Sequence, residues 1–192
     1  MANSDTPFGL RPKQDVSGRP YNGPLRHYST PTGDSTAILI GDPVKLAGTS
    51  QTITGEVYAD VARAATGDVV LGVCVAVVPT TSESTIYRAA STQRLLMVCD
   101  DPNALFEIQE VSGGTALAAN DIGLNADFVV AAGSTVTGQS GVELNNATEA
   151  TTATLDLKIV GLARRPDNAV GEHAKWLVRI NRHQYANQVA GL

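Results

Sequence analysis

Nowhere in this chain do ten consecutive residues keep an apolar period of 3.6 with good helix formers; period two recurs instead. The segment ATLDLKIVGLARRP (Ala153 to Pro166) sets Leu155, Leu157 and Ile159 on one face against Thr154, Asp156 and Lys158 on the other. AKWLVRINRH does the same, with Trp176, Val178 and Ile180 against Lys175, Leu177, Arg179 and Asn181. TGEVYADVARAA (Thr54 to Ala65) alternates Val57, Ala59 and Val61 with Tyr58, Asp60 and Ala62. DVVLGVCVAVV is a continuous β-branched run that suits a strand buried on both faces, with Gly72 marking a bulge. Each of these patterns matches a strand and none a helix.

Weaker signals fill the intervals. TAILIG and VKLAG flank a Gly-Asp-Pro break at Gly41, Asp42 and Pro43. STIYRAA and RLLMVC, separated by STQ, are expected to pair as a hairpin. DDPNALFEIQEVSGG reads as one turn, with Asp101 as a helix-start cap, followed by a strand ending at Gly113-Gly114. DIGLNADFVVA and SGVELNN are short strands, and the Ser-, Thr-, Gly- and Asn-rich interval from Gly133 to Thr152 is mostly turn. Turn signals every 8–15 residues or so suit an all-β fold: a small β-barrel, or a β-tulip or sandwich-like domain.

The first thirty-six residues differ. Five of the nine prolines lie there (Pro7, Pro12, Pro20, Pro24 and Pro31), with Gly9, Gly18, Gly23 and Gly33 between them. Proline fixes φ, removes a donor and pushes the preceding residue to extended geometry, so neither helix nor central strand is expected. Yet Phe8, Leu10, Tyr21, Leu25 and Tyr28 are apolar anchors that a plain linker would not need. Residues 1–36 are therefore expected to form an extended Pro-rich arm lying across a surface, its own or a neighbour's, with the five anchors as candidate partner contacts and a disordered tail as the alternative; residues 37–192 are expected to form the β-rich domain.

Composition limits the function classes. At 192 residues the chain holds one domain, and 17% charged against 43% hydrophobic residues is a globular composition. The formal charge is −5, and the densest basic pair is Arg164-Arg165, so no nucleic-acid partner is expected. No stretch has the pattern of a signal peptide, and the longest apolar run, Val69 to Pro79, falls far short of the ~20 residues of a membrane span. A soluble protein with no membrane partner is expected. Cys74 and Cys99 sit in apolar runs as small hydrophobes; whether they pair is open. Asn146-Ala147-Thr148 matches a glycosylation triplet, but nothing accompanies it that suggests secretion.

Candidate chemistry is thin. His27 lies in the Pro-rich arm and His173 and His183 near the last strand, and no pair of them shows metal-ligand spacing. Ser140 in GQSGV lacks the spacing of a nucleophile elbow. Asp100 and Asp101 are adjacent, so in an extended strand they point to opposite faces. Gly-Asp-Pro fails as a phosphate loop, because Pro43 removes a donor and a strand follows in place of a helix. We therefore expect no enzyme, and no catalytic, cofactor-binding or metal residues.

Two stretches carry a resemblance. MANSDTPFGLRP at the start and LKIVGLARRPDNAVGEHAKWLVRINRHQY near the end resemble small structural proteins of tailed bacteriophages, the capsid decoration, cement or head-stabilising proteins. IGDPVKL followed by GDVVLGVCVAVV is also similar to the small β-barrels of several decoration proteins. The resemblance implies an all-β knob on the outer surface of an icosahedral shell, commonly trimeric at local three-fold axes, made in the host cytoplasm and carried on the virion. Its partners would be the phage major capsid protein and other copies of itself. The alternative in the same class is another virion component: a head–tail connector, tail or minor capsid protein. A cellular β-barrel binding module or a hydrolase is the third reading. A major capsid protein does not fit so short a chain with no long helix.

Overall fold

A computed structural model describes residues 3–186. Its strands are β1 (Arg11–Asp15), β2 (Arg26–Thr30), β3 (Pro43–Ile53), β4 (Glu56–Arg63), β5 (Gly72–Val77), β6 (Arg94–Cys99), β7 (Ala104–Gln109), β8 (Asn125–Ala126), β9 (Phe128–Val129), β10 (Glu143–Leu144), β11 (Leu157–Leu162) and β12 (Lys175–Ile180). A single 3₁₀ turn, Ala119–Asp121, is the one helical element among the described residues. The protein is all-β.

Five strands close a barrel in the order β2-β4-β3-β5-β6. Its interior holds Tyr28, Ile38, Val44, Val61, Leu71, Cys74, Leu96 and Val98, all buried. Closure depends on β2. It pairs antiparallel with β6 from Arg26↔Val98 to Thr30↔Arg94, and joins β4 through one parallel pair, Ser29↔Asp60.

A second, five-stranded sheet runs β1-β7-β12-β11-β8. From Leu157 on, its inner face is the alternation expected from sequence: Leu157, Ile159, Trp176, Val178 and Ile180, joined by Phe106 and Ile108; ahead of the strand, Leu155 is only half-buried and Asp156, expected outside, is fully buried. β5 and β6 form the shared wall. Val73 and Cys99 face the sheet core, while Cys74 and Val98 face the barrel core. The continuous apolar run is thus buried on both faces from Val70 to Cys74 and half-buried from Val75 on. The two cysteines lie on opposite sides of that wall, and both are free thiols.

Several expectations are corrected. The first thirty-six residues are extended, but they are not an arm apart from the domain: β1 is an edge of the sheet and β2 closes the barrel. Pro24 and Pro31 bracket β2 and do not interrupt it, and Pro12 is tolerated because β1 is an edge strand. TAILIG forms isolated bridges at Ile38 and Ile40 and no strand. STIYRAA does not pair with β6, whose two sides are taken by β2 and β5; only Arg88 bridges, to Ile38. The β5 bulge falls between Cys74 and Ala76, not at Gly72. Gly72 serves a close approach instead, since a β-carbon there would run into the Cys99 carbonyl oxygen. Asp101 caps a turn and no helix, accepting the Asn103 N–H at 2.8 Å. Val57, on the expected inner face of β4, is exposed because it lies near the tip of the long β3–β4 hairpin, beyond the pairing with β5.

Candidate functional site

The five arm anchors pack on this chain. Leu10 enters the sheet core and Tyr28 the barrel core, while Tyr21 and Leu25 lie half-buried against the sheet core. Phe8 is buried, with the Arg11 guanidinium 4.4 Å above its ring. Burial of an apolar side chain contributes roughly 1.5–3 kcal/mol, so these residues fasten the segment to its own domain. The expectation that Phe8, Leu10 and Tyr28 contact a partner is corrected accordingly; Tyr21 and Leu25 keep some exposed surface.

The Gly-Asp-Pro break proves to be the fastening point. Gly41 (φ 95°) and Gly9 (φ 71°) cross backbone to backbone, and Leu10 N–H donates to Gly41 O at 2.9 Å. Asp42 is buried beside them. Its Oδ2 accepts the Leu39 N–H at 2.8 Å and its Oδ1 accepts the Ser140 hydroxyl. Burial raises the Asp42 carboxyl above the usual range, opposed by these two donors. Ser140 is therefore a structural donor that ties the 138–142 turn to the barrel entrance.

Ahead of this crossing, residues 3–6 are stitched across the sheet end by side-chain bonds. Asn3 Nδ2 donates to Ala169 O (2.9 Å) and Glu172 O (2.8 Å), and Asn3 Oδ1 accepts the Ala169 N–H at 3.0 Å. Lys175 Nζ donates to Ser4 O at 2.8 Å. Thr6 N–H donates to Oε1 of the buried Gln109 at 3.0 Å. Asp5 lies against His173, with Oδ1 and Nδ1 3.5 Å apart.

A polar cleft opens where β2, β6 and the chain after β12 meet. It has a volume of about 550 Å³ and is lined by Leu25, Arg26, Asp100, Asp101 and Tyr185 among others. Asp100 Oδ2 accepts the Tyr28 hydroxyl at 2.7 Å and pairs with Arg26 Nη1 at 3.3 Å. Tyr185 Oη is 3.2 Å from Tyr28 Oη. Burial and the Tyr185 and Asp100 contacts raise the Tyr28 phenol, so it stays protonated and donates. His183 is buried nearby, its Nδ1 accepting the Tyr185 N–H at 3.0 Å, and burial pushes it down to about 4. It is neutral at pH 7. The cleft presents the Arg26–Asp100 pair and the Tyr185 phenol, while the buried Tyr28 hydroxyl is committed to Asp100.

Sequence reasoning missed the buried charges. Glu107, on the outer face of β7, is fully buried between Lys13 (2.9 Å) and Arg165 (2.6 Å). Burial opposes its ionisation, but the two cations hold its carboxyl below the usual range. Asp60 accepts from Ser29, from Gln51 Nε2 at 2.8 Å and from Thr49 at 2.7 Å. Arg88 is fully buried and donates to the carbonyls of Pro31, Thr36 and Thr92. These groups organise loops that no local pattern describes. Asn146 is also buried and donates its amide to Val111 O at 2.9 Å, which occupies the nitrogen that a glycan would need. His27 is exposed, edge-on to Tyr58. Comparison with known protein families, curated proteins and solved structures finds no match for this chain.

Proposed function

We propose that this chain is a virion structural protein, a decoration or cement protein that binds the outer surface of a tailed-phage capsid as trimers and stabilises the shell. One observation carries the reading. The two stretches that resemble such proteins, far apart in sequence, meet on one end of the five-stranded sheet, where Asn3 bonds to Ala169 and Glu172 and Ser4 accepts from Lys175. The first two residues of the N-terminal stretch lie outside the described residues.

Two further features support it. The buried charged and polar groups Asp42, Asp60, Glu107 and Arg88 are engaged in bonds that hold strands and loops. The barrel is closed, and the outer side of β1 is taken by the return of residues 19–21, where Tyr21 N–H donates to Lys13 O at 2.9 Å. Closure and this cover leave the barrel wall and the β1 edge to meet a lattice through side chains. A copy that binds only the assembled lattice stabilises it by mass action.

The test is sedimentation of the purified chain with intact phage heads, together with its mass by light scattering. Saturable binding to the head exterior by a trimer is the expected result. Ring assembly, or copies confined to one vertex or to tails, would move the chain to the connector or tail class. Failure to associate with any phage particle would overturn the reading.

A further inference from the structure

Three potential ligand atoms from distant parts of the chain converge where the N-terminal segment crosses the sheet end. Asp5, Glu143 on β10 and His173 ahead of β12 each present one such atom, and these all lie within 4.8 Å of one another. Gln109 fixes the two carboxylates. It is fully buried, and its Nε2 donates at 2.9 Å to Asp5 Oδ1 and at 2.9 Å to Glu143 Oε1. Its Oε1 is held in turn by the Thr6 N–H. An amide that gives one N–H to each of two acids orients both of them, as outer-shell partners of metal ligands do.

The imidazole is unsatisfied as well. His173 Nδ1 is closed off from solvent and has no hydrogen-bond partner. It lies 3.5 Å from Asp5 Oδ1. With bonds of about 2.1 Å, two neighbouring ligands of a tetrahedral zinc ion stand about 3.4 Å apart. The neighbouring Lys175 ammonium is committed to Ser4 O.

We propose that Asp5, Glu143 and His173 form a divalent transition-metal site that clamps the N-terminal segment to the sheet. One imidazole with two carboxylates suits Zn²⁺ better than Mg²⁺ or Ca²⁺, which prefer oxygen-only shells. The metal takes the Nδ1 lone pair of neutral His173, with the imidazole proton on Nε2. The role is structural: it ties segment 3–6, the turn at β10 and the loop before β12 at one point, whatever surface the protein docks on.

The experiment uses the untagged full chain stripped with EDTA. Titration with ZnCl2 by calorimetry should give one saturable site and raise the thermal midpoint. His173→Ala, Glu143→Gln and the exposed Asp5→Ala should each weaken binding at least tenfold, while His27→Ala leaves it unchanged. Co²⁺ should give a d–d spectrum without a thiolate charge-transfer band. Absence of saturable binding, binding that survives both His173→Ala and Asp5→Ala, or a thiolate band would each overturn the proposal. Asp5→Ala keeps the test decisive should the other variants misfold.

Discussion

Gly41 lies so close beneath Phe8 that a β-carbon on Gly41 would run into the Phe8 carbonyl oxygen, while Leu10 N–H donates to Gly41 O at 2.9 Å. Gly41→Ala therefore meets two obstacles, a φ of 95° and a backbone wall. The conformation alone costs roughly 1–3 kcal/mol, and displacing residues 8–10 adds to it. Urea unfolding should show a midpoint well below that of the parent. Gly23→Ala is the comparison, since Gly23 has a similar φ of 88° with nothing within 4 Å of a β-carbon; it should lose less.

Removing residues 1–36 should prevent folding. The deletion takes β2 from the barrel, exposes Leu96 and Val98, and strips Phe8 and Leu10 from their sites. Circular dichroism and denaturant titration of the truncated chain should show no cooperative transition. Removing residues 1–5 alone should leave a folded protein, because among the described residues it takes away the Asn3, Ser4 and Asp5 bonds and no strand.

Glu110 should make the protein less stable as pH rises. It is fully buried, with Oε2 accepting the Trp176 indole N–H at 2.7 Å, and burial pushes its carboxyl up to about 7 from an ordinary 4.5. With the folded value raised, its contribution is fully present below about 4.5, where both states are protonated. It is lost as pH rises through about 7, because the unfolded chain ionises first. The loss is on the order of 2 kcal/mol after allowing for solvent screening. Asp156, raised to about 6 by burial, acts with the same sign. Glu110→Gln should flatten stability between pH 5 and 8 when followed by urea midpoints.

His183 should act in the opposite direction. Burial lowers its folded value to about 4 from 6.5, so its contribution is present above about 6.5 and lost as pH falls through about 4. NMR titration should find the His183 ring neutral throughout pH 5–8. A His183 midpoint above 6 would contradict this.

Cys74 and Cys99 should be inert to thiol reagents in the native state. Both are fully buried, and burial raises both thiols above their ordinary value, removing the reactive thiolate. Two thiols should titrate with a colorimetric disulfide reagent in urea, and none without it.

Period two in β11 and β12 was enough to place Leu157, Ile159, Trp176, Val178 and Ile180 in a core, because side-chain direction in a strand is a local consequence of backbone geometry. The continuous run of β5 likewise disclosed a strand covered on both sides. The absence of any helical period settled the all-β class. What lay beyond the sequence was everything set by which strands become neighbours. Pro24 and Pro31 frame β2, but only its pairing with β6 and β4 makes it a barrel wall. Glu107 on an outward position looks solvated until Lys13 and Arg165 arrive from other segments to bury it. Asp5, Glu143 and His173 carry no spacing that marks them, since a ligand set drawn from three distant segments exists only once the chain has closed. Alternation along the chain is decided by bonds between adjacent residues; the meeting of positions 5, 143 and 173 is decided by packing, which sequence order does not record.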